Sequence, residues 1–323
     1  MPSSASSSSV SSASSSSSGM RGSVTMAFRA EGVLESPVWC FASREWDESS
    51  SEDGVSRTVY AGTGPNGVVL ASDDFSTWET FMQVDDCHAR AVAVWADALF
   101  VGTQPKGRIY VHNFASGQEY LFVETEDSAV VAFAEYGGKL YAGTSPAGIV
   151  YSFDGIVWKE EYRPYGSGVT TMASYNGLLF VFSKGAEGPV VYNGLSWKVY
   201  PDQIDGSAQT AASNRNVVGG IYGSSGMVSI EPSKIASSAV PGTNDSDVQE
   251  VRPTSPQFNV MAAAATADRL VFGGMDNGVV LLVTDGKFSK LFDVGVPVTA
   301  IAEAGNGALM VASHGTVFLA RES

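Results

Sequence analysis

Short apolar stretches recur along the whole chain, each bounded by glycine, proline or asparagine. The clearest example runs from Leu140 to Trp158. Leu140–Gly143 and Ile149–Phe153 alternate apolar and small or polar residues, as half-buried strands do. Pro146 and Gly148 mark a turn between them, and Asp154-Gly155 is a hairpin signal before a third strand that opens at Trp158. The pattern predicts three short antiparallel strands joined by tight turns.

The strand Leu140–Gly143 has copies elsewhere in the chain. At the position of Gly62 they fall at 62, 102, 143, 182, 220, 273 and 312, so that successive spacings are 40, 41, 39, 38, 53 and 39 residues. Each copy follows a stretch rich in Ala and Val and precedes a strand that usually starts with Gly. An aromatic residue, as at Trp78, Trp158 and Trp197, often opens a fourth strand. Four strands in a repeat of this length are typical of a β-propeller blade.

These repeats predict an all-β fold, a seven-bladed β-propeller with four-stranded antiparallel blades. The last repeat ends at Ser323 after its third strand, and Ser23–Arg29 has no repeat of its own. We therefore expect this N-terminal strand to complete the last blade and close the ring, which removes an open sheet edge. Residues 1–22 are Ser-rich, and their composition predicts a flexible N-terminal tether. The predicted domains are therefore 1–22 and 23–323.

Composition narrows the function. The net charge of −15 argues against a nucleic-acid partner, which normally requires a basic surface. No apolar run reaches the roughly 20 residues of a membrane helix, and no signal peptide is expected. Two cysteines make no disulfide framework. We expect a protein folded in the cytoplasm and not exported by the usual route, with no membrane insertion.

Candidate interaction residues lie where the repeats differ. Asp85, Asp86, His88 and Arg90 occupy the link between the first two repeats, on a predicted upper face. Neighbouring residues of this kind converge poorly on one zinc ion, so a solvated loop is favoured.

A second candidate group lies in an acidic insertion of the first repeat, residues 44–56. It contains Trp46, Asp47 and Glu48 and is predicted on the lower face with a second insertion, Glu231–Asp247. The insertion lacks the regular ligand spacing of a calcium loop, and Trp46 is a candidate interface anchor. No catalytic set, metal site or cofactor site is predicted.

The repeat also carries a family resemblance. The hairpin Ser152–Trp158 resembles a degenerate Asp-box of sialidase-type propellers, in which these boxes are structural. The repeat sequence from Leu140 to Trp158 resembles the repeats of propellers in bacteriophage tail and baseplate proteins. That resemblance implies a non-enzymatic virion tail protein.

Such a protein would dock on other tail proteins, in several symmetric copies, through its N-terminus and one face. The other face would then be open to a host surface glycan. The alternatives are a bacterial lectin-like or scaffold propeller and, third, a glycan-active enzyme.

Overall fold

The computed structural model describes residues 22–28, 36–47, 55–75, 77–163, 168–175, 177–184, 188–199, 208–213, 218–222, 226–230, 248–251, 260–265, 270–274, 278–284, 287–305, 308–313 and 315–322. Every regular element in these ranges is a β-strand. In chain order they are β1 (Gly22–Phe28), β2 (Val38–Asp47), β3 (Val55–Thr63), β4 (Val68–Ser72), β5 (Glu79–Gln83), β6 (His88–Trp95), β7 (Ala98–Gln104), β8 (Arg108–Asn113), β9 (Gln118–Glu124), β10 (Ala129–Tyr136), β11 (Lys139–Ser145), β12 (Val150–Phe153), β13 (Trp158–Tyr162), β14 (Val169–Tyr175), β15 (Leu178–Ser183), β16 (Val190–Tyr192), β17 (Trp197–Val199), β18 (Ala208–Ser213), β19 (Val218–Tyr222), β20 (Gly226–Ile230), β21 (Val248–Val251), β22 (Val260–Ala265), β23 (Leu270–Gly274), β24 (Val279–Thr284), β25 (Lys287–Asp293), β26 (Ala300–Gly305), β27 (Ala308–Ser313) and β28 (Thr316–Glu322).

The strands pair into four-stranded antiparallel sheets. Strand pairing gives β2–β5, β6–β9, β10–β13, β14–β17, β18–β21 and β22–β25 as six consecutive meanders, and a further sheet with the order β1-β28-β27-β26. The first strand of each meander contacts the first strand of the next, and β26 contacts β2. The first strands therefore line the axis of a closed ring. The predictions of an all-β propeller and of four-stranded antiparallel blades are confirmed.

The last sheet joins the two ends of the described chain. β1 pairs with β28 in antiparallel register, from Gly22 opposite Glu322 to Phe28 opposite Val317. The N-terminal strand thus occupies the position predicted from the unassigned stretch Ser23–Arg29. β28 is therefore paired on both sides, by β27 and by β1, and β1 is the outer strand of this sheet.

Side-chain packing corrects the expectation of seven equivalent blades. The described side chains form five hydrophobic clusters between neighbouring sheets, not seven. One cluster lies between the last sheet and β2–β5. Three more fill the successive interfaces from β2–β5 to β14–β17, and the fifth lies between β22–β25 and the last sheet. The side chains of β18–β21 are outside the described part of the structure. For this sheet, strand pairing is described but side-chain packing is not. Packing supports five blade-to-blade layers.

Glycine in the second strand lets successive blades approach closely. A Cβ added at Gly102 would lie 2.6 Å from Cγ1 of Val130, and one added at Gly143 would lie 2.6 Å from Cγ1 of Val169. Each valine belongs to the first strand of the next sheet and is buried. The glycine of the repeat is therefore a contact residue between blades as well as part of a strand.

Candidate functional site

Two faces of the ring are distinguished by their turns. The upper face carries the turns between second and third strands, at residues 64–67, 104–107 and 145–148, and the links between sheets. The lower face carries the turns between first and second strands and between third and fourth strands. β2 runs from Val38 at the upper face to Asp47 at the lower face. Ten residues of strand span roughly 30 Å, so the predicted site residues fall into two separate groups.

On the upper face, Asp86 has a structural role. Its carboxylate accepts hydrogen bonds from the Thr103 hydroxyl at 2.6 Å and from the backbone N–H of Lys106 at 3.1 Å. Asp86 therefore ties the link before β6 to the next turn of its own sheet. Asp85 is exposed and forms ion pairs with Lys106 at 3.5 Å and with Arg108 at 3.6 Å.

Asp127 repeats the role of Asp86 in the next sheet, and the sequence analysis missed it. Its buried carboxylate accepts hydrogen bonds from the N–H groups of Ala147 at 2.8 Å and Gly148 at 3.2 Å. Asp86 and Asp127 each lie three residues before the first-strand residue that precedes a register shift, Ala89 and Val130. Aligning the links between repeats gives the signal that identifies both residues.

In four first strands a bulge directs one side chain toward the axis. The register shifts at corresponding places in β2, β6, β10 and β14, and in each case one residue is skipped in the pairing. The skipped residues are Trp39, Arg90, Val131 and Thr170. All four line one cavity at the upper end of the axis. Bulges often re-aim side chains next to functional sites, so the repeated device builds the wall of this cavity.

The cavity has a volume of about 620 Å³, which is within the range of small-molecule pockets. Arg90 lies over the Trp39 ring, with the guanidinium carbon 4.5 Å from the ring centroid. His88 meets the same indole edge-on, at 6.0 Å between ring centroids. The structure thus brings His88 and Arg90 together with Trp39, a residue that the sequence analysis did not select.

Burial changes the ionisation of two groups beside the cavity. It lowers the pKa of the Arg90 guanidinium, partly offset by Cys40. It raises the pKa of the Cys40 thiol to about 12, because the thiolate would be removed from water; Arg90 opposes this shift. The Cys40 thiol donates a hydrogen bond to the carbonyl of Ala89 at 3.8 Å. Cys40 is therefore a neutral packing residue, whereas Cys87 is exposed.

The lower-face group is described in part. The backbone of Trp46 and Asp47 belongs to β2, and Asp47 is opposite Val55 of β3. Part of the predicted acidic insertion is therefore a longer hairpin. The side chains of Trp46 and Asp47, the residue Glu48 and the second insertion at 231–247 lie outside the described residues. The proposed interaction roles of all seven selected residues remain predictions.

The lower face also carries exposed aliphatic side chains that the sequence analysis did not select. Ile156 and Leu195 occupy equivalent positions in the hairpin turns of two consecutive sheets and are 85% and 92% exposed. Asp154 accepts hydrogen bonds from the N–H groups of Ile156 and Val157, and Asn193 holds the Leu195 turn in the same way. The sequence signal is an aliphatic residue directly after Asp-Gly or Asn-Gly.

Rigid aromatic pairs support these turns. Trp158 stacks on Phe153 at 5.1 Å, and Trp197 stacks on Tyr192 at 4.5 Å between ring centroids. In these two sheets the tryptophan that opens the fourth strand therefore packs on the third strand of its own sheet. Ile156 and Leu195 are consequently presented by ordered hairpins.

Within the described ranges, no group of three or more His, Cys, Asp or Glu side chains is placed to hold a metal ion. Nor does that part of the chain include a helix long and apolar enough to cross a bilayer.

Comparison with known proteins defines the class of protein through its fold. No family model matches the chain, and no curated protein matches it by sequence. Solved propellers are similar in structure. A streptogramin B lyase superposes with a TM-score of 0.73 at 13% identity, covering 92% of this chain and 97% of the lyase.

Two WD40 propellers are also similar. The WD40 propeller domain of Doa1 gives a TM-score of 0.69 at 10% identity, covering 94% of this chain and 98% of that domain. The WD40 repeats of RRP9 give 0.66 at 13% identity, covering 92% and 97%. At such low identity these likenesses show the fold alone. The chain is a β-propeller.

Proposed function

We propose that this protein is a non-enzymatic propeller that docks on neighbouring protein subunits through its lower face. The observation that supports this proposal most strongly is the pair of exposed aliphatic side chains, Ile156 and Leu195, at equivalent positions of consecutive hairpins. Val157, next to Ile156, is also more than half exposed. Single exposed apolar residues are normal, but an adjacent repeated set marks a surface suited to a partner.

The energetics favour docking over a role in folding. None of these side chains contributes hydrophobic stabilisation to the isolated ring, because each remains exposed to water. Burial of an Ile or Leu side chain against a partner is favourable by about 1.5–3 kcal/mol. The ordered turns also reduce the entropy cost of binding, since Asp154 and Asn193 already fix the backbone.

The assembly that we propose is a bacteriophage tail or baseplate. The sequence resemblance of the repeat to tail propellers and the Ser-rich N-terminal stretch support it. In this proposal the protein is made in the cytoplasm of the bacterial host and incorporated into the virion in several copies. The N-terminal stretch and the lower face contact other tail proteins, and the upper face is open to a host surface glycan.

Mass spectrometry of purified particles tests the virion role. We expect the protein to co-purify with particles through a density gradient, in a fixed ratio to known tail proteins. Absence from particles would reject the virion role and favour the alternative of a lectin-like or scaffold propeller outside a virion.

A variant tests the docking surface separately. I156D/L195D should lower incorporation into particles at least tenfold while the ring remains folded by circular dichroism. V296D is a matched control, because Val296 is an exposed aliphatic residue in a link between sheets. If I156D/L195D is incorporated as well as V296D, the lower-face hairpins are not the docking surface.

A further inference from the structure

The cavity at the upper end of the axis contains a half-buried arginine, Arg90, without a protein counter-ion. Five arginine side chains are described, and four of them form ion pairs: Arg44 with Asp97, Arg57 with Glu45, Arg108 with Asp85 and Glu124, and Arg163 with Glu126 and Glu160. Arg90 has no carboxylate within ion-pair distance among the described residues. It is also the arginine of these five whose pKa is lowered by burial. A desolvated guanidinium is costly unless an anion faces it.

The surroundings of Arg90 supply further hydrogen-bond donors. Ser145 and Thr171 also line the same cavity, and none of its described lining residues is acidic. In a chain with a net charge of −15, this is a donor-rich and locally positive site.

The remaining walls are apolar. Phe133, Pro146 and Met172 line the cavity beside the polar groups. A bare inorganic anion would leave these walls without contacts, whereas a small organic molecule would fill part of the volume. Arginine suits planar carboxylates and phosphates, because its fork of N–H donors can bind two oxygens at once.

We propose that the upper cavity binds a small organic oxyanion, a carboxylate or phosphate ester with an apolar body, through Arg90, which lies over the Trp39 ring. The strand bulges that place Trp39, Arg90, Val131 and Thr170 around the axis preorganise this site. The site is independent of the docking role, because it lies on the opposite face and uses none of the lower-face hairpins.

Isothermal titration with simple probes tests this site on the full chain. Benzoate and phenyl phosphate are the anionic probes, which separate a carboxylate from a phosphate ester, and benzamide is the neutral probe of matching shape. We expect at least one anionic probe to bind, and at least tenfold more tightly than benzamide. Failure of both anionic probes to bind at 10 mM, or equal binding of benzamide, would overturn the proposal.

Variants assign the binding to the named groups. R90Q should weaken binding of the anionic probe at least tenfold, and W39F should weaken it by a smaller factor while retaining an aromatic ring under Arg90. R163Q is the matched control, since it removes an exposed arginine outside the cavity. If R90Q does not fold, R90K retains the charge and should bind more weakly than the unmodified protein, because it loses the bidentate geometry. Unchanged affinity in R90Q, or in R90K where that variant is used, would refute the role of Arg90.

Discussion

Replacing Gly143 by alanine tests the close approach between blades. The added Cβ would lie 2.6 Å from Cγ1 and 3.1 Å from Cβ of Val169, and 3.2 Å from Sδ of Met172. Val169 and Met172 belong to the first strand of the next sheet, and both are buried. Because the nearest atom is a branched methyl group in a packed layer, the two sheets must shift apart or Val169 must leave its rotamer.

The expected magnitude follows from two opposing terms. Overpacking of a core costs about 1–3 kcal/mol. Replacing glycine at a position without a positive φ reduces the entropy of the unfolded chain, which offsets about 0.4–1 kcal/mol. We therefore expect Gly143→Ala to lower the free energy of unfolding by about 1–2 kcal/mol. With about 2.1 cal/mol/K per residue, the 323-residue chain loses roughly 1.5–3 °C in Tm.

A double-mutant cycle identifies the clash as the cause. Val169→Ala alone leaves a cavity and is destabilising, but it removes the methyl group that Gly143→Ala meets. In the double variant the alanine at 143 should cost at least about 1 kcal/mol less than it does alone, measured by calorimetry and guanidinium unfolding. If the two effects add within about 0.5 kcal/mol, or if Gly143→Ala is neutral, the close-approach argument is wrong.

Three further predictions concern single side chains. Asp127→Ala should lower the free energy of unfolding by about 1–3 kcal/mol, because the N–H groups at the turn of Ala147 lose a buried acceptor. Asp127→Asn should lose less stability, since it retains one amide oxygen as an acceptor. Equal losses in the two variants would contradict this role. At pH 8 a thiol reagent should modify Cys87 rapidly and Cys40 after unfolding, because Cys87 is exposed and the pKa of Cys40 is about 12; rapid labelling of both thiols in the folded protein would refute the burial of Cys40. Hydrogen bonds from the N–H groups of its own turn lower the pKa of Asp154 below the usual 3.8. The contribution of its carboxylate to stability is therefore present above that value and is lost as the pH falls through the lowered pKa. Asp154→Asn should reduce this part of the pH dependence of Tm, and an unchanged Tm profile between about pH 2 and 5 would refute the role of these hydrogen bonds.

The propeller fold was predictable from the sequence because the same strand pattern recurs along the chain. The repeated strand at Leu140–Gly143 sets both the period and the strand order, and the unassigned stretch Ser23–Arg29 leaves one place for the closing strand. Packing was less predictable. At Gly102 and Gly143 the second strand, and not the Ala- and Val-rich first strand, provides the space between neighbouring sheets.

The candidate sites were predicted in part. Arg90 and His88 were selected from an unusual link, but their partner Trp39 lies in another repeat. The bulges that bring these residues together depend on strand register, which the local sequence does not encode clearly. Asp86 was selected as a candidate interaction residue, but its carboxylate holds a turn. The sequence did not indicate this role, because the two donors, Thr103 and Lys106, lie 17 and 20 residues later in the chain.

The shared last sheet has a consequence for the synthesis of the protein. β26, β27 and β28 are the last strands of the ring to leave the ribosome, whereas their partner β1 is the first. During elongation the earlier meanders can pair locally, because their strands are neighbours in sequence. The ring itself can close once β28 has emerged, when β1 and β28 first coexist. Nascent chains therefore carry unpaired strand edges for most of their synthesis, and the last sheet converts a row of local meanders into one cooperative unit.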